Sequence, residues 1–254
     1  MALSKKFIYP LISFSVVIII WQLVAMYSGW SESVFPGPLP VLNSFFELVA
    51  NGSIFNHSVA SLYRVTIGFY LGAIVGIPLG ILIGRVKAVS YALNPIIQFL
   101  RPISPLAWIP LAMLWFGLGD NPAIFLIFLS SFFPIVVATA IAVSSINPIY
   151  FQVASNFNLS RVEMITKIVV PAILPEVVTA LRLTIAIAWL VVVAAEMIAV
   201  QSGLGYLILD SRNALRMDYV MVAMIVIGII GLLLDIIMYK LGRLGFIMAA
   251  KQHS

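Results

Sequence analysis

Residues 61–84 read SLYRVTIGFYLGAIVGIPLGILIG. Arg64 is the one charged side chain in that stretch, and a helix needs about 20 mostly apolar residues to cross roughly 30 Å of hydrocarbon, so the run predicts a transmembrane helix. Gly68, Gly72, Gly76, Gly80 and Gly84 recur at every fourth position. They fall on one stripe of the helix, where missing side chains let another helix approach closely. The stripe is read as a helix-packing face, and secondarily as a contact with another copy of the chain.

Working outward, five further apolar stretches lie at approximately 8–28, 90–116, 122–143, 177–199 and 219–240. About six transmembrane helices are therefore expected, in an all-α polytopic membrane protein occupying residues 1–254 as one unit, with no low-complexity tract or separate soluble domain. The stretch 90–116 carries Pro95, Pro102, Pro105 and Pro110, so it is not expected to be one undisturbed helix, and its membrane portion is expected to begin near Arg101. Lys5 and Lys6 followed by an apolar run also fit a signal peptide. That run continues to about Tyr27 with no small-x-small cleavage site, which favours a retained first span.

Composition agrees. The chain is 63% hydrophobic and 9% charged, whereas an ordinary soluble domain is roughly 25% charged. Too few charged groups remain to build a polar shell, so lipid must replace it. With no cysteine, a disulfide framework, a thiolate metal site and a thiol nucleophile are excluded. His57 and His253 are far apart in sequence, and no metal or cofactor site is expected on this chain. The net charge of +5 comes from basic residues scattered between apolar stretches, a pattern that argues against nucleic acid and for membrane topology. With the N-terminus inside, Lys5, Lys6, Arg85, Lys87, Arg161, Lys167, Arg182, Lys240, Arg243 and Lys251 are cytoplasmic, and Arg64, Arg212 and Arg216 are outside. Six spans then place both termini in the cytoplasm.

Between the first two spans, residues 30–58 pass Pro36, Gly37, Pro38 and Pro40 and then read as a short amphipathic helix through Phe45, Phe46 and Leu48, expected along the outer interface. Residues 144–176 are too polar for lipid and too helix-like for a linker, so a cytoplasmic partner should dock there. Ser/His/Asp nucleophile sets, HExxH and GxxxxGK[ST] are absent, and the acidic residues are scattered. No catalytic residue is proposed, and the chain is not expected to hydrolyse ATP alone.

The stretch QVASNFNLS at 152–160, followed by IVVPAILP at 168–175, resembles the cytoplasmic EAA signature of ABC-importer permeases. The resemblance implies that Gln152 to Arg161, including Ala154 and Asn158, form a coupling helix seated in a groove of an ATPase subunit, and that Pro171 and Pro175 end the helix before the next span. Two positions depart from the pattern: Gln152 stands for an acidic residue and Asn158 for a glycine. Asn tolerates a left-handed backbone, so the turn is expected to survive, while the lost charge removes one contact. LRPISPLAWIP at 100–110 with LWFG at 114–117, and AAEM at 194–197 with SGLGYLI at 202–208, are similar to nitrate, sulfonate, taurine and bicarbonate permeases. The resemblance covers roughly residues 35–245. It implies a type I ABC importer permease fold in a bacterial inner membrane, a second permease copy, two cytoplasmic ABC ATPases that carry ATP and Mg, an extracytoplasmic substrate-binding protein, and a small oxyanion or organosulfonate as cargo.

Elementary chemistry gives several of these residues a task. Pro102, Pro105 and Pro110 leave backbone carbonyls unpaired, which at membrane depth is tolerated where they face protein or water, so a translocation path should pass Arg101, Ser104 and Trp108. Two readings of Arg101 stand: a forked guanidinium contact to an oxyanion, or snorkelling to the cytoplasmic interface. Glu196, near the outer end of the fifth span, is expected either to pair with Arg64, Arg212 or Arg216, or to take part in gating or binding-protein contact. Asp235 is expected to form an interface ion pair with Lys240 or Arg243. An ion-coupled secondary transporter is the alternative, and it predicts inverted repeats and intramembrane ionisable residues.

Overall fold

The computed structural model describes residues 2–251, with side chains described for residues 8–242. Lys5, Lys6, Arg243 and Lys251 as charged groups, and all of His253, lie outside the described residues. The helices are α1 (Ala2–Tyr27), α2 (Pro38–Ala50), α3 (Ser53–Arg85), α4 (Lys87–Leu100), α5 (Ile109–Phe116), α6 (Asp120–Ser144), α7 (Pro148–Asn156), α8 (Arg161–Met164), α9 (Val170–Ala199), α10 (Leu204–Asn213) and α11 (Met217–Lys251). A 3-10 turn at Pro105–Trp108 precedes α5, and a π turn at Ile165–Val169 joins α8 to α9.

Five of these segments are long and apolar enough to cross a membrane, and the pair Lys87–Leu100 with Pro105–Phe116, bent by 86°, makes up to six. The bend falls where the prolines were expected to break the helix. Pro102 and Pro105 have no N–H to continue the α4 ladder, so the chain turns after Leu100. Arg101 is the C-cap of α4 and marks the elbow instead of the beginning of a helix.

The glycine stripe of α3 lies against α6. Gly68 faces Ile124 and Ile127, Gly72 faces Ser131, Gly76 faces Ile135, Gly80 faces Thr139 and Gly84 faces Val143. Both helices run the same way, and the stripe serves packing within one copy. A Cβ at Gly80 would stand 2.6 Å from Thr139 Cβ and 2.7 Å from Val136 O, so a methyl group must push two backbones apart. Gly80→Ala is expected to lower stability by about 1–3 kcal/mol, the usual cost of overpacking. Gly228→Ala, where nothing lies within 4 Å, should not. Melting of the two solubilised variants checks this, and equal midpoints would mean that the seam yields.

α9 runs antiparallel to α6: Ala195 and Ala199 pack on Ala123 and Leu126 at one end, and Val169, Ile173 and Val177 pack on Ala142 and Val143 at the other. α11 returns along α9, where Trp189 Nε1 donates to Ile227 O at 3.1 Å. Asp235 pairs with Arg182 at 2.7 Å and not with Lys240; the Arg243 side chain, the other cation expected from proximity in sequence, lies outside the described residues. The antiparallel α9/α11 pairing brings position 182 beside 235, which linear distance hides. α2 packs on α11 and α3 through buried Val41, Ser44 and Leu48, with Phe46 60% exposed, and Ser44 Oγ donates to Asp218 Oδ2 at 2.6 Å. α1 touches the body near its C-terminal end, where Trp21 Nε1 donates to Pro36 O at 3.0 Å and Gln22 and Ala25 lie against Gly37. The rest of its described apolar surface is free for lipid.

Pro171 and Pro175 do not end a helix, contrary to the expectation from the loop signature. The segment Arg161–Ala199 continues through both. In an α-turn the Pro171 ring would meet the carbonyl of Lys167. Lys167 lies in the π turn, whose wider i→i+5 pattern moves that carbonyl aside.

Candidate functional site

Besides the Arg182–Asp235 pair and the polar group around Asp218, three polar places in the bundle bear on function. The first is a cavity of about 950 Å³ beside the α4 elbow. Arg101 borders it together with Ser90, Asn94 and Gln98 of α4, and Ser144 and Ser145 at the end of α6; apolar side chains of α3 and α6 complete the wall. Among the described residues no Asp or Glu borders it, and the one full charge they bring to it is the Arg101 guanidinium. Arg101 N–H donates to Ile97 O at 2.9 Å, which fixes the backbone that carries the side chain. Ser104 and Trp108 lie beyond the bend and do not border this cavity. Ser104 is exposed, and Trp108 is half-buried with its ring 6.3 Å from that of Trp115.

Glu196 belongs to a second place, at the end of the bundle where α6 begins. It is 0% exposed, and Arg64 is 2% exposed. Arg64 Nη1 donates to Glu196 Oε1 at 2.5 Å, Ser61 Oγ to Glu196 Oε2 at 2.8 Å, and Gly205 N–H to Glu196 Oε2 at 3.0 Å. Arg64 also donates through Nε to Asp120 Oδ1 at 2.8 Å and through Nη1 to Ser202 O at 2.8 Å, and it meets Ser202 Oγ. Ser61 Oγ in turn accepts from Leu204 N–H at 2.9 Å, and His57 Nδ1 accepts from Gly203 N–H at 3.0 Å. Gly203 has φ +102° and abuts the Glu196 carboxylate, so the turn into α10 leaves no room for a side chain. Of the three arginines that the sequence offered to Glu196, Arg64 is the partner. Arg216 pairs with Asp218 at 2.8 Å, and Arg212 is exposed. Sequence reading did not anticipate Asp120, Ser61 and Ser202 here; the signal available was an arginine alone in an apolar span. The network ties α3, α6, α9 and the α9–α10 turn together.

The third place is the segment 144–176. Asn147 Oδ1 caps α7 by accepting from Ile149 N–H at 3.0 Å, and Pro148 occupies the first turn, where its missing N–H costs nothing. Ala154 is 1% exposed, while Gln152 and Arg161 face outward. Asn158 has φ +49°, the left-handed conformation expected where the signature has glycine, and Leu159 N–H closes the turn onto Ala154 O at 3.1 Å. Ser160 and Glu163 then form a capping box that restarts the helix, and Lys167 holds Glu163 at 2.8 Å. Tyr150 and Phe157 are 60% and 75% exposed. Arg85 stacks over the Phe151 ring at 3.9 Å and anchors the segment to the end of α3. Among the described residues, no group of three His, Asp or Glu gathers as metal ligands.

Residues 76–244 match the family described as binding-protein-dependent transport system inner membrane component. The chain is 37% identical over 241 residues to a nitrate import permease protein of Synechocystis, covering 91% of this chain and 86% of the relative. It is 36% identical over 221 residues to a putative aliphatic sulfonates transport permease protein of Bacillus subtilis, covering 87% of this chain and 80% of the relative. Its fold is similar to that of a solved chain of the MetNI methionine ABC transporter, with TM-score 0.65 and 15% identity, covering 73% of this chain and 93% of that one.

Proposed function

The chain belongs to the binding-protein-dependent transport system inner membrane component family, and from that premise we propose how its three polar places divide the work of an ATP-driven importer. It is the membrane-spanning permease subunit. It carries no catalytic residue of its own; ATP and Mg are bound by two ATPase subunits that dock on the segment 144–176, and the cargo arrives on an extracytoplasmic binding protein at the opposite end. A second permease copy completes the pathway. The distribution of Lys and Arg supports an inner-membrane orientation with both termini and the 144–176 segment in the cytoplasm.

The cargo is a small oxyanion or organosulfonate. The observation that carries this reading is a cavity whose described bordering residues include one cation, Arg101, and no carboxylate. A guanidinium presents forked donors that match planar or tetrahedral oxyanions. Arg101 sits at the C-terminal end of α4, where the negative end of the helix dipole offsets part of its field. The site therefore attracts an anion without storing it, as a pathway requires. The relatives named for nitrate and aliphatic sulfonates support the same class.

Uptake of labelled nitrate, bicarbonate and taurine into vesicles holding the full complex and its cognate binding protein tests this. Arg101→Gln should lower uptake about tenfold or more, the consequence of losing one charge-assisted contact. Arg101→Lys should recover part of the rate, because it restores charge without the fork. Equal uptake by wild type and Arg101→Gln would remove Arg101 from the pathway.

A further inference from the structure

Ser90, Asn94 and Gln98 are spaced four residues apart on α4, and Arg101 follows three residues later, so all four fall on one face of the helix and its C-cap. All four border the cavity. Ile97, on the neighbouring face, packs with Ile83 of α3 and Val136 of α6, and Val89 and Leu93 join that cluster. Apolar contacts thus hold α4 to the bundle, and its polar stripe borders the cavity, with Ser90 and Asn94 half-buried and Gln98 and Arg101 exposed.

The hydrogen-bond directions make this stripe a set of donors. Asn94 Nδ2 donates to Ser90 Oγ at 2.8 Å. That bond uses the Ser90 oxygen as acceptor, leaving the Ser90 O–H and the second Asn94 amide hydrogen to donate elsewhere. Gln98 is exposed. The facing hydroxyls of α6 are already spent on backbone: Ser144 Oγ donates to Ala140 O and Ser145 Oγ to Ala142 O, each at 2.8 Å. Free donors therefore line the α4 side of the cavity.

We propose that Ser90, Asn94 and Gln98 form a ladder of neutral donors along which an oxyanion passes between Arg101 and the end of the bundle that carries Ser144. The inference rests on the transport reading above and adds residues to it. At 1.5 Å rise per residue the rungs are about 6 Å apart and the ladder is about 12 Å long, or about 16 Å from Ser90 to Arg101, roughly half the hydrocarbon thickness. Each rung offers an anion a replacement for lost water without a full charge to trap it, so the anion is passed on.

The chain has no cysteine, so each single replacement gives it one thiol, read out on this chain after it is separated from its partners. In the assembled complex, Ser90→Cys, Asn94→Cys and Gln98→Cys should each react with an anionic methanethiosulfonate added on the Ser144 side. Phe99→Cys, on the opposite face of α4, should not. The anionic reagent should outpace its cationic counterpart by about tenfold relative to free thiol, a preference that Arg101→Gln abolishes. Gln98→Leu and Asn94→Leu should each lower uptake of whichever anion the wild-type complex carries by about fivefold, the worth of one neutral hydrogen bond. If wild type carries an anion and both leucine variants carry it equally well, or if the ladder thiols react no faster than Phe99→Cys, the ladder is overturned while the transport reading stands. A wild-type complex that imports none of the anions overturns the transport reading and the ladder with it.

Discussion

Arg64→Met is expected to lower the melting midpoint of the solubilised protein by on the order of 10 °C, and Glu196→Gln by much less. Removing Arg64 strands a carboxylate that is 0% exposed, with Ser61 and the Gly205 N–H as its remaining partners. Breaking a buried pair in this way costs about 3–5 kcal/mol, because the surviving charge keeps its desolvation penalty and loses its counter-charge. Glu196→Gln leaves Arg64 still bound to Asp120 and to Ser202, and glutamine can accept and donate in the vacated space. The double replacement Arg64→Met with Glu196→Leu should recover most of the stability lost by Arg64→Met alone, since well-packed apolar groups often replace a buried pair at no cost. Melting of the four proteins decides it. A midpoint for Arg64→Met equal to that of Glu196→Gln would show that water reaches the pair.

Phe157→Asp is expected to abolish copurification of the ATPase and to lower uptake at least about thirtyfold, the effect of losing one central aromatic anchor from an interface. Phe157 lies just past α7 and is 75% exposed, so an aspartate there leaves the helix and its turn intact. Ala154→Asp acts differently. Ala154 is 1% exposed, and the new carboxylate must either be desolvated or pull α7 away from the bundle. Both substitutions should spare insertion of the chain, checked by its yield in membranes. Normal ATPase copurification and uptake by Phe157→Asp would place the docking surface elsewhere.

Much of this architecture is legible in the sequence because two of its signals are strictly local. Apolar length marks α1, α3, α6, α9 and α11, and glycine at every fourth position marks the face of α3 that meets α6. The elbow after Leu100 and the left-handed turn at Asn158 follow from single residues with restricted backbone choices. What stayed hidden depends on which helices become neighbours. Proximity along the chain points Asp235 to Lys240 or Arg243, whereas the antiparallel α9/α11 pairing presents Arg182. The loop signature implies stops at Pro171 and Pro175, and the π turn that lets the helix pass Pro171 leaves no mark in composition. For the candidate site, Arg101 was visible as a lone cation among prolines. The contribution of Ser90, Asn94 and Gln98 required knowing that α3 and α6 leave one face of α4 open.

The close seam between parallel helices also sets a timetable for biogenesis. Two helices that run in the same direction cannot be joined as a hairpin, so α3 meets its partner only after α4, the elbow and α5 have crossed back. Ile127 is synthesised about sixty residues after Gly68, which at roughly 5–20 residues per second is a delay of about 3–12 s. Throughout that interval the groove of α3 stands open beside the translocon, its bare backbone facing lipid or whichever helix emerges first. The order of emergence becomes part of how the correct neighbour is chosen.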